Sequence, residues 1–205
     1  LKFIFDTFYE TALDESHDSN HAREVAMNAI SIFNLELDDI NPIILDSNYD
    51  KYSLLILYTA VFHDAYDHKY IKDSNTILKI KQEIIQLVSK DDILQKDLDQ
   101  NLDIIFDVID NMSYSKEIAN KKNGIIHKPL SKIVFDIVQD ADRVEAIGEI
   151  GVKRNYLYTL YKVFNGVATE EQIHEKMIEH MHEKLKLLWP LLNTESAKKL
   201  FEDRH

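Results

Sequence analysis

The chain has 205 residues, of which 45 % are hydrophobic and 29 % charged, a composition that predicts a single soluble globular domain. Its formal net charge of −12 argues against nucleic acid as the main partner, because phosphate backbones are bound by basic surfaces. The absence of cysteine excludes disulfide scaffolds, thiolate zinc sites and cysteine nucleophiles, and it favours a cytoplasmic location.

Neither the N-terminal segment nor the apolar stretches predict contact with a membrane. The chain begins LKFIFDTFYE, without Met and with an acid at position 6, which is unlike a signal peptide. The longest uncharged apolar stretch, residues 53–62, is roughly half as long as a membrane span requires. We therefore expect a protein that binds neither membrane nor nucleic acid, as a monomer or a homodimer.

Apolar residues recur at intervals of three and four along almost the whole chain, which is typical of amphipathic helices. Four glycines and three prolines are too few for the tight turns of an all-β fold. The first helix is predicted at residues 3–13, and the second begins at an N-cap that is Asp18, Ser19 or Asn20. The helices that follow are predicted at residues 52–63, 77–88, 98–109, 130–164, 169–188 and 194–203.

The segments between these helices are predicted to be connections. Residues 35–50 contain the Asn41-Pro42 break, and residues 113–129 are polar enough to predict a mobile loop. The helix over residues 130–164 is expected to bend near Gly148 or Gly151. The sequence thus predicts an all-α, single-domain helical bundle over residues 1–205, in which a site is built from side chains of several helices.

Three stretches concentrate the metal-binding side chains of this cysteine-free chain: HDSNH at residues 17–21, HD at 63–64 and DADR at 140–143. Imidazole and carboxylate together suit Mn²⁺, Fe²⁺, Co²⁺, Ni²⁺ or Mg²⁺ better than a closed tetrahedral zinc site. Each stretch also has a structural interpretation, as a helix cap or a solvated helix face. The apolar setting of Asp142, between Val138, Ala141 and Val144, favours it as a functional acid.

The order of these stretches resembles the HD-domain superfamily of metal-dependent phosphohydrolases. The chain is most similar to the small, single-domain bacterial branch that includes nucleotide pyrophosphohydrolases. The most specific signal is HD-x-x-D-x-K followed by ADR-x-x-AIG-x-IG. The resembling stretches run from residue 17 to the end of the chain: HDSNHAREVA, LYTAVFHDAYDHKY, VIDNMSYSKE, IVQDADRVEAIGEIGVKR and EHMHEKLKLLWPLLNTESAKKLFEDRH.

The resemblance implies one divalent metal ion, with Mn²⁺ first and Mg²⁺, Fe²⁺, Co²⁺ or Ni²⁺ as alternatives. The implied ligands are His21, His63, Asp64 and Asp142. Asp140 is the alternative to Asp142, since both acids lie near the family's ligand position.

The expected catalytic residues follow the HD pair. Asp67 can accept a proton from the attacking water, and Lys69 can offset charge on phosphoryl oxygens. Arg143 also has a structural interpretation, as an ion-pair partner. His180 and Lys184 have one as well, as residues of an exposed helix face. The candidate substrate contacts are His17, at the pocket rim, and His68, Arg143, Arg154, His180 and Lys184; Asn111, Ser113 and Ser115 either line the pocket mouth or cap a helix.

The sequence departs from the family pattern at two positions. The family has Arg three residues after the first ligand histidine, where this chain has Glu24, and the Arg of this chain is Arg23. Glu145 stands where the family has Asp. Only His68 and His127 lie between the HD pair and Asp142, which favours one metal over two. Asp67-His68 in place of the Glu-Asp pair of guanosine-alarmone hydrolases disfavours that activity.

The expected function is hydrolysis of nucleoside or deoxynucleoside triphosphates to monophosphate and pyrophosphate. Two alternatives remain at this point. One is a phosphomonoesterase that acts on a nucleoside monophosphate or another small phosphorylated metabolite. The other is a non-catalytic sensor that uses the metal pocket to bind a nucleotide. In each case the partner is a small phosphorylated molecule.

Overall fold

The computed structural model describes residues 18–37, 42–67 and 71–204, except for the side chains of residues 42–47. The described residues form ten α-helices and no strand, so the all-α prediction is confirmed. The predicted helix at residues 3–13 lies outside the described residues, and so do His17, His68 and Lys69.

The helices are joined mostly by short connections. In chain order they are α1 (Ser19–Glu36), α2 (Pro42–Phe62), α3 (Ser74–Val88), α4 (Leu98–Asn111), α5 (Tyr114–Lys122), α6 (Lys132–Val144), α7 (Gly148–Phe164), α8 (Ile173–His180), α9 (Lys186–Leu188) and α10 (Glu195–Leu200). A π-helical segment, Met181–Leu185, joins α8 to α9. Short 3-10 turns lie at Leu94–Asp97, Glu170–Gln172, Trp189–Leu191 and Glu202–Arg204.

The core forms where α1, α2 and α6 pack against one another, with α4 and α10 added at the sides. These helices supply side chains that are almost wholly removed from water, among them Phe33, Leu55, Phe62, Ile105 and Ile137. Burying each is worth about 1.5–3 kcal/mol before the entropy of folding is subtracted. In the described part of the chain no helix is long and apolar enough to cross a membrane.

Two segments predicted as connections are helical. α2 begins at Pro42, ten residues before the expected start, and proline suits the first turn of a helix because its missing N–H has no partner there. The predicted loop at residues 113–129 contains α5. Ser113 caps this helix by accepting from Lys116 N–H at 3.2 Å, and Lys121 lies in its last turn, so caps and charges stabilise a helix without an apolar face.

The predicted helix over residues 130–164 is two helices. α6 ends at Val144 and α7 begins at Gly148, whose φ of +71° is a left-handed conformation that favours glycine. At Gly151 a Cβ atom would lie 2.2 Å from the carbonyl oxygen of Ala146, so this close approach also requires glycine. The chain therefore changes direction near the predicted bend, and α6 and α7 carry different parts of the site.

Candidate metal centre

His21 lies in the first turn of α1, where the residue that caps the helix fixes its backbone. The carboxylate of Asp18 accepts a hydrogen bond from His21 N–H at 3.0 Å, and Asp18 has the extended conformation of an N-cap. Asp18 is thus the cap among the three candidates. The His21 side chain is buried, with 6 % of the residue exposed.

His63 and Asp64 follow the last residue of α2, where the chain turns. The Nδ1–H of His63 donates to the carbonyl oxygen of Ala60 at 2.7 Å. This bond fixes the ring and leaves Nε2 toward the neighbouring imidazole and carboxylates, as in many metal-binding histidines. Asp67 N–H donates to Asp64 O at 3.2 Å, which keeps Asp67 within the same turn.

Helix α6 directs the two candidate ligands Asp140 and Asp142 into different surroundings. The carboxylate of Asp140 is fully buried and accepts from the backbone N–H groups of Asn193 and Thr194, both at 2.8 Å. It also accepts from the Asn193 amide at 3.0 Å and the Thr194 hydroxyl at 2.9 Å. Asp140 therefore fastens the C-terminal segment to α6, while Asp142 lies beside His21 and His63.

The four side chains implied as ligands converge. The two imidazole Nε2 atoms of His21 and His63 are 3.2 Å apart. Asp64 Oδ2 lies 3.2 Å from the His63 Nε2 and 3.7 Å from that of His21. Asp142 Oδ1 lies 3.4 Å from the His21 Nε2 and 3.7 Å from that of His63. Three helical elements, far apart in sequence, thus bring two nitrogens and two oxygens to one point.

The net charge of this cluster depends on whether His63 carries a proton. Burial lowers the pKa of His21 to about 4, and the charge of Arg154 acts in the same direction. Burial also acts to lower the pKa of His63, but the Asp64 carboxylate beside it, helped by Asp142, raises that pKa to about 9. Burial acts to raise the pKa of Asp142, yet the hydrogen bond with His21 and the charge of His63 hold it well below its ordinary range.

A divalent ion fits this donor set. Ligand atoms at roughly 2.1 Å from one metal are about 3.0 Å apart in an octahedron and about 3.4 Å apart in a tetrahedron, close to the observed separations. Two carboxylates also balance a dication, whereas one proton on His63 leaves the cluster with a net negative charge. Among the described residues, His21, His63 and Asp64 form the one group of at least three potential ligands whose atoms all lie within 4.8 Å of one another. Asp142 is not a member of this group, but its Oδ1 lies within 3.7 Å of both imidazole Nε2 atoms.

The cluster opens into a pocket of about 840 Å³. His63, Asp64, Asp67 and Asp142 all line it. Another part of the wall is apolar and is formed by Tyr66, Ile77, Ile109, Met112 and Leu188. The pocket also carries cations from several elements, namely Lys72, Lys81, Lys116, Arg143, Arg154 and Lys184. Metal ligands, an acid, cations and an apolar wall therefore share one cavity.

The two predicted arginines differ in their surroundings. Arg143 is buried, and its guanidinium donates to Glu117 and to the carbonyl oxygen of Leu191, so it ties α5 and the C-terminal segment to α6. Arg154 is half-buried on α7, lines the pocket, and is close enough to His21 for its charge to lower the pKa of that imidazole. Arg154 is thus the better placed of the two to meet an anion at the metal centre.

A smaller cavity of about 180 Å³ adjoins the pocket, and we call it the side cavity. It lies between the α7 face that carries Arg154, Tyr158 and Lys162 and the segment that carries His180 and Lys184. Arg154 and Lys184 line both cavities and so mark the boundary between them. None of the described residues that line the side cavity is acidic.

His180 and Lys184 are not on consecutive turns of a regular α-helix. α8 ends at His180, and Lys184 belongs to the π-helical segment Met181–Leu185. Single π turns are rare and occur frequently at functional sites. The His180 ring lies 6.0 Å from that of Tyr158, which brings the π-helical segment against α7.

The remaining predicted residues take structural or peripheral positions. Asn111 donates to Asp107 within α4, and Asp107 Oδ1 also lies 3.4 Å from His127 Nε2. Ser113 and Ser115 line the large pocket, and Ser113 is in addition the cap of α5.

At the two departures from the family pattern the side chains make local contacts. The exposed Arg23 and Glu24 are 3.6 Å apart. Glu145 is buried and accepts from Asn28 at 2.8 Å and from Arg204 at 2.9 Å. Glu145 therefore joins α1 and the C-terminal turn to the end of α6.

Sequence reasoning missed several pocket residues. Lys72 and Lys116 line the large pocket but come from the connection before α3 and from α5, where no periodicity marks them. Tyr158 and Lys162 could have been found, because Arg154, Tyr158 and Lys162 repeat every four residues and so share one face of a helix.

Comparisons with known proteins agree with the fold. No protein-family model matches the chain. An uncharacterised protein of Bacillus subtilis strain 168, YpgQ, is 33 % identical over 106 residues, which are 52 % of this chain and 47 % of YpgQ. The match thus spans about half the length of this curated relative.

Solved structures resemble the chain over nearly its whole length. A structural-genomics target from Lactobacillus plantarum has a TM-score of 0.63 and 26 % identity, over 99 % of this chain and 86 % of that one. Bacillus subtilis YpgQ in complex with ADP has a TM-score of 0.62 and 22 % identity, over 100 % of this chain and 89 % of that one. The helical architecture is therefore shared with these proteins.

Proposed function

We propose that this protein is a metal-dependent phosphohydrolase of the HD-domain type, which hydrolyses nucleoside or deoxynucleoside triphosphates to monophosphate and pyrophosphate. The observation that carries the proposal is the convergence of His21, His63, Asp64 and Asp142 beside a large pocket whose lining also includes several cations. The resemblance of the sequence motifs supports it, and the absence of cysteine supports a cytoplasmic location.

In this proposal the four side chains hold one divalent ion, with Mn²⁺ as the first choice. When bound, such an ion lowers the pKa of a coordinated water and polarises a phosphoryl oxygen. The Ala60 carbonyl orients the His63 ring, and Asp18 fixes the backbone at His21, so the ligands are positioned before any ion arrives.

The reaction is an in-line attack of water on the α-phosphorus. The water oxygen forms a bond to phosphorus, and the bond from phosphorus to the α–β bridging oxygen breaks, leaving its electron pair on pyrophosphate. Asp67, which lines the same pocket, accepts the water proton and later releases it to solvent. Arg154 and Lys184 offset the charge on the phosphoryl oxygens, and Lys69 keeps this predicted role as well.

Two observations favour a nucleotide over a smaller phosphate ester. The pocket of about 840 Å³ includes an apolar wall with Ile77, Ile109 and Met112, which offers a surface for a base and a sugar. In addition, YpgQ of Bacillus subtilis, which shares the fold, has been crystallised in complex with ADP.

The test is turnover of a panel of nucleoside tri-, di- and monophosphates by chelated protein, before and after addition of Mn²⁺, with pyrophosphate and phosphate quantified separately. We expect Mn²⁺-dependent release of pyrophosphate and a nucleoside monophosphate. His63→Ala should lose both metal and turnover, whereas the matched control Asp103→Ala, at an exposed carboxylate of α4, should keep both.

Other outcomes would assign the pocket differently. Inorganic phosphate released from monophosphates would indicate a phosphomonoesterase. Nucleotide binding without turnover, with every metal of the series, would indicate a sensor. Either result would refute the pyrophosphohydrolase assignment while leaving the metal centre in place.

A further inference from the structure

An ion pair lies beside the apolar wall of the large pocket. Lys81 of α3 and Asp110 of α4 both line this pocket, and the Nζ of Lys81 lies 3.0 Å from Oδ2 of Asp110. On α3, Ile77 stands one helical turn before the lysine, and on α4, Ile109 directly precedes the acid. The same two helices therefore supply an apolar surface and a donor–acceptor pair, a combination that binds a planar, partly polar ligand.

Aromatic rings hold the lysine of this pair in place. The Nζ of Lys81 lies 4.6 Å from the ring centroid of Tyr66 and 5.0 Å from that of Phe106, within the range of cation–π attraction. The Asp110 carboxylate accepts from the same ammonium group. The positions of both charges are thus determined by contacts that exist before a ligand binds, and groups fixed in advance lose little conformational entropy on binding.

The ion pair suits the base of a nucleotide better than its phosphates. Lys81 and Asp110 together are neutral, and the carboxylate would repel a phosphate group placed beside it. The proposed phosphate contacts, Arg154 and Lys184, come from other elements, namely α7 and the π-helical segment. When the α-phosphate lies at the metal centre, the uncharged base is therefore the part of the nucleotide that fits the side formed by α3 and α4.

A carboxylate beside an ammonium group is complementary to one base in particular. An ionised carboxylate accepts hydrogen bonds through two oxygens, whereas an ammonium group only donates. Guanine presents its O6 acceptor beside two adjacent donors, the N1–H and the 2-amino group. Adenine and cytosine present one amino donor beside a ring nitrogen, and uracil and thymine present one N–H between two carbonyl oxygens. Among these bases, guanine alone can donate to both carboxylate oxygens while it accepts from the ammonium group.

We infer that Asp110 and Lys81 bind the edge of a guanine base, and that Asp110 is the residue that determines a preference for guanine nucleotides. The inference rests on the proposed function, which places a nucleoside triphosphate in this pocket. Asp110 accepts from the N1–H and the 2-amino group, and Lys81 donates to O6. The face of the base packs against the apolar wall that includes Ile77 and Ile109.

The experiment measures binding and not turnover. Dissociation constants are determined with Mn²⁺-loaded protein for the α,β-methylene triphosphates of guanosine, inosine, adenosine and xanthosine, whose α–β linkage resists hydrolysis. The wild type should bind the guanosine analogue more tightly than the adenosine analogue. It should also bind it about 10–100-fold more tightly than the inosine analogue, which lacks only the 2-amino group, because a hydrogen bond to a charged acceptor contributes about this much.

Asp110→Asn should produce a gain of affinity that misfolding cannot imitate. The new amide can accept from the N1–H of xanthine and donate to its 2-oxo group, whereas its NH₂ group opposes one donor of guanine. This variant should therefore bind the xanthosine analogue about tenfold or more tightly than the guanosine analogue. The matched control is Asp103→Asn, at an exposed carboxylate of the same helix outside the pocket, and it should keep the wild-type order.

The outcomes separate the inference from the proposed function. Equal affinities of the wild type for the guanosine and inosine analogues, or an Asp110→Asn variant that does not favour xanthosine, overturn the inference even if the protein releases pyrophosphate. Conversely, a guanine preference that Asp110→Asn converts to a xanthine preference, in a protein that hydrolyses no nucleotide, supports the base site and refutes the proposed function.

Discussion

Substituting Asp140 and Asp142 of α6 one at a time should separate the contribution to folding from the contribution to metal binding. Asp140→Asn replaces one carboxylate oxygen, buried against Asn193 and Thr194, by an amide NH₂ group. Asn193 N–H can donate to either oxygen, so the orientation that places the NH₂ group at the Oδ1 position leaves two buried donors without an acceptor, namely that NH₂ group and one N–H of the Asn193 amide. At about 1–3 kcal/mol for each unsatisfied buried donor, the loss is about 2–6 kcal/mol. The melting temperature should fall by roughly 4–24 °C, at about 2–4 °C per kcal/mol.

Asp142→Asn should behave in the opposite way. The side chain of Asp142 is 34 % exposed, so water can solvate the amide. The metal-free protein then loses only the attraction between this carboxylate and His63, and its melting temperature should fall less than with Asp140→Asn. Loss of a residue that only orients a metal ligand costs about 10–100-fold in metal affinity, so loss of a ligand carboxylate should cost at least about 100-fold.

The assay is thermal unfolding with and without Mn²⁺. A ligand at one hundred times its dissociation constant stabilises the folded state by about 2.7 kcal/mol, which is a rise of roughly 5–11 °C. Asp140→Asn should melt early but keep this rise, and Asp142→Asn should lose the rise. If Asp142→Asn kept the Mn²⁺-dependent rise and Asp140→Asn lost it, the ligand assignment on α6 would be refuted.

Three further predictions concern the mechanism, the proton and the fold. Asp67→Ala should retain Mn²⁺ but lower turnover by about 10²–10⁴-fold, the usual contribution of a general base. Because the pKa of His63 is about 9, this imidazole is protonated at neutral pH and must release its proton to bind a metal. Mn²⁺ affinity should therefore rise with pH up to about 9, and titration calorimetry in buffers of different ionisation enthalpy should show proton release. Glu145→Ala leaves Asn28 and Arg204 without their buried acceptor, and should cost about 3 kcal/mol in chemical denaturation.

Each of these predictions has a control or a contradicting result. Full activity of Asp67→Ala would remove this residue from the mechanism, and Asp103→Ala controls for the loss of an acid as such. Calorimetric heats that do not depend on the buffer would show that His63 binds metal without releasing a proton. Glu149→Ala, at an exposed acid near the start of α7, should leave stability unchanged. An equal loss there would mean that the contacts of Glu145 are not the cause.

The sequence predicted best where a local rule decides. Asp18 precedes an apolar helical face by the usual spacing, and it caps α1. α5 was missed because its helix is held by caps and charges instead of an apolar stripe, and hydrophobic periodicity detects only the stripe. The sequence places the start of α2 too late because the Asn41-Pro42 pair predicts a break, whereas in the structure Pro42 opens the helix.

The acids of α6 show what sequence alone could not decide. Residues two apart on an α-helix are separated by about 200°, so Asp140 and Asp142 must face different surroundings. Which of the two faces the imidazoles depends on contacts from distant parts of the chain. Asn193 and Thr194, more than fifty residues later, satisfy Asp140, and nothing local in the sequence indicates that pairing.

The π-helical segment changes the directions in which side chains point along the helix between residues 173 and 188. An α-helix has 3.6 residues per turn, so one extra residue shifts everything beyond it by about 100° around the axis. On one side of the shift, His180 keeps its contact with Tyr158; on the other, Leu188 is 1 % exposed in the core. Deleting one residue between them would restore a regular helix that can satisfy only one of these contacts. The extra residue of the π-helical segment is therefore what allows a single helix to hold the His180 ring against α7 while its far end remains packed in the core.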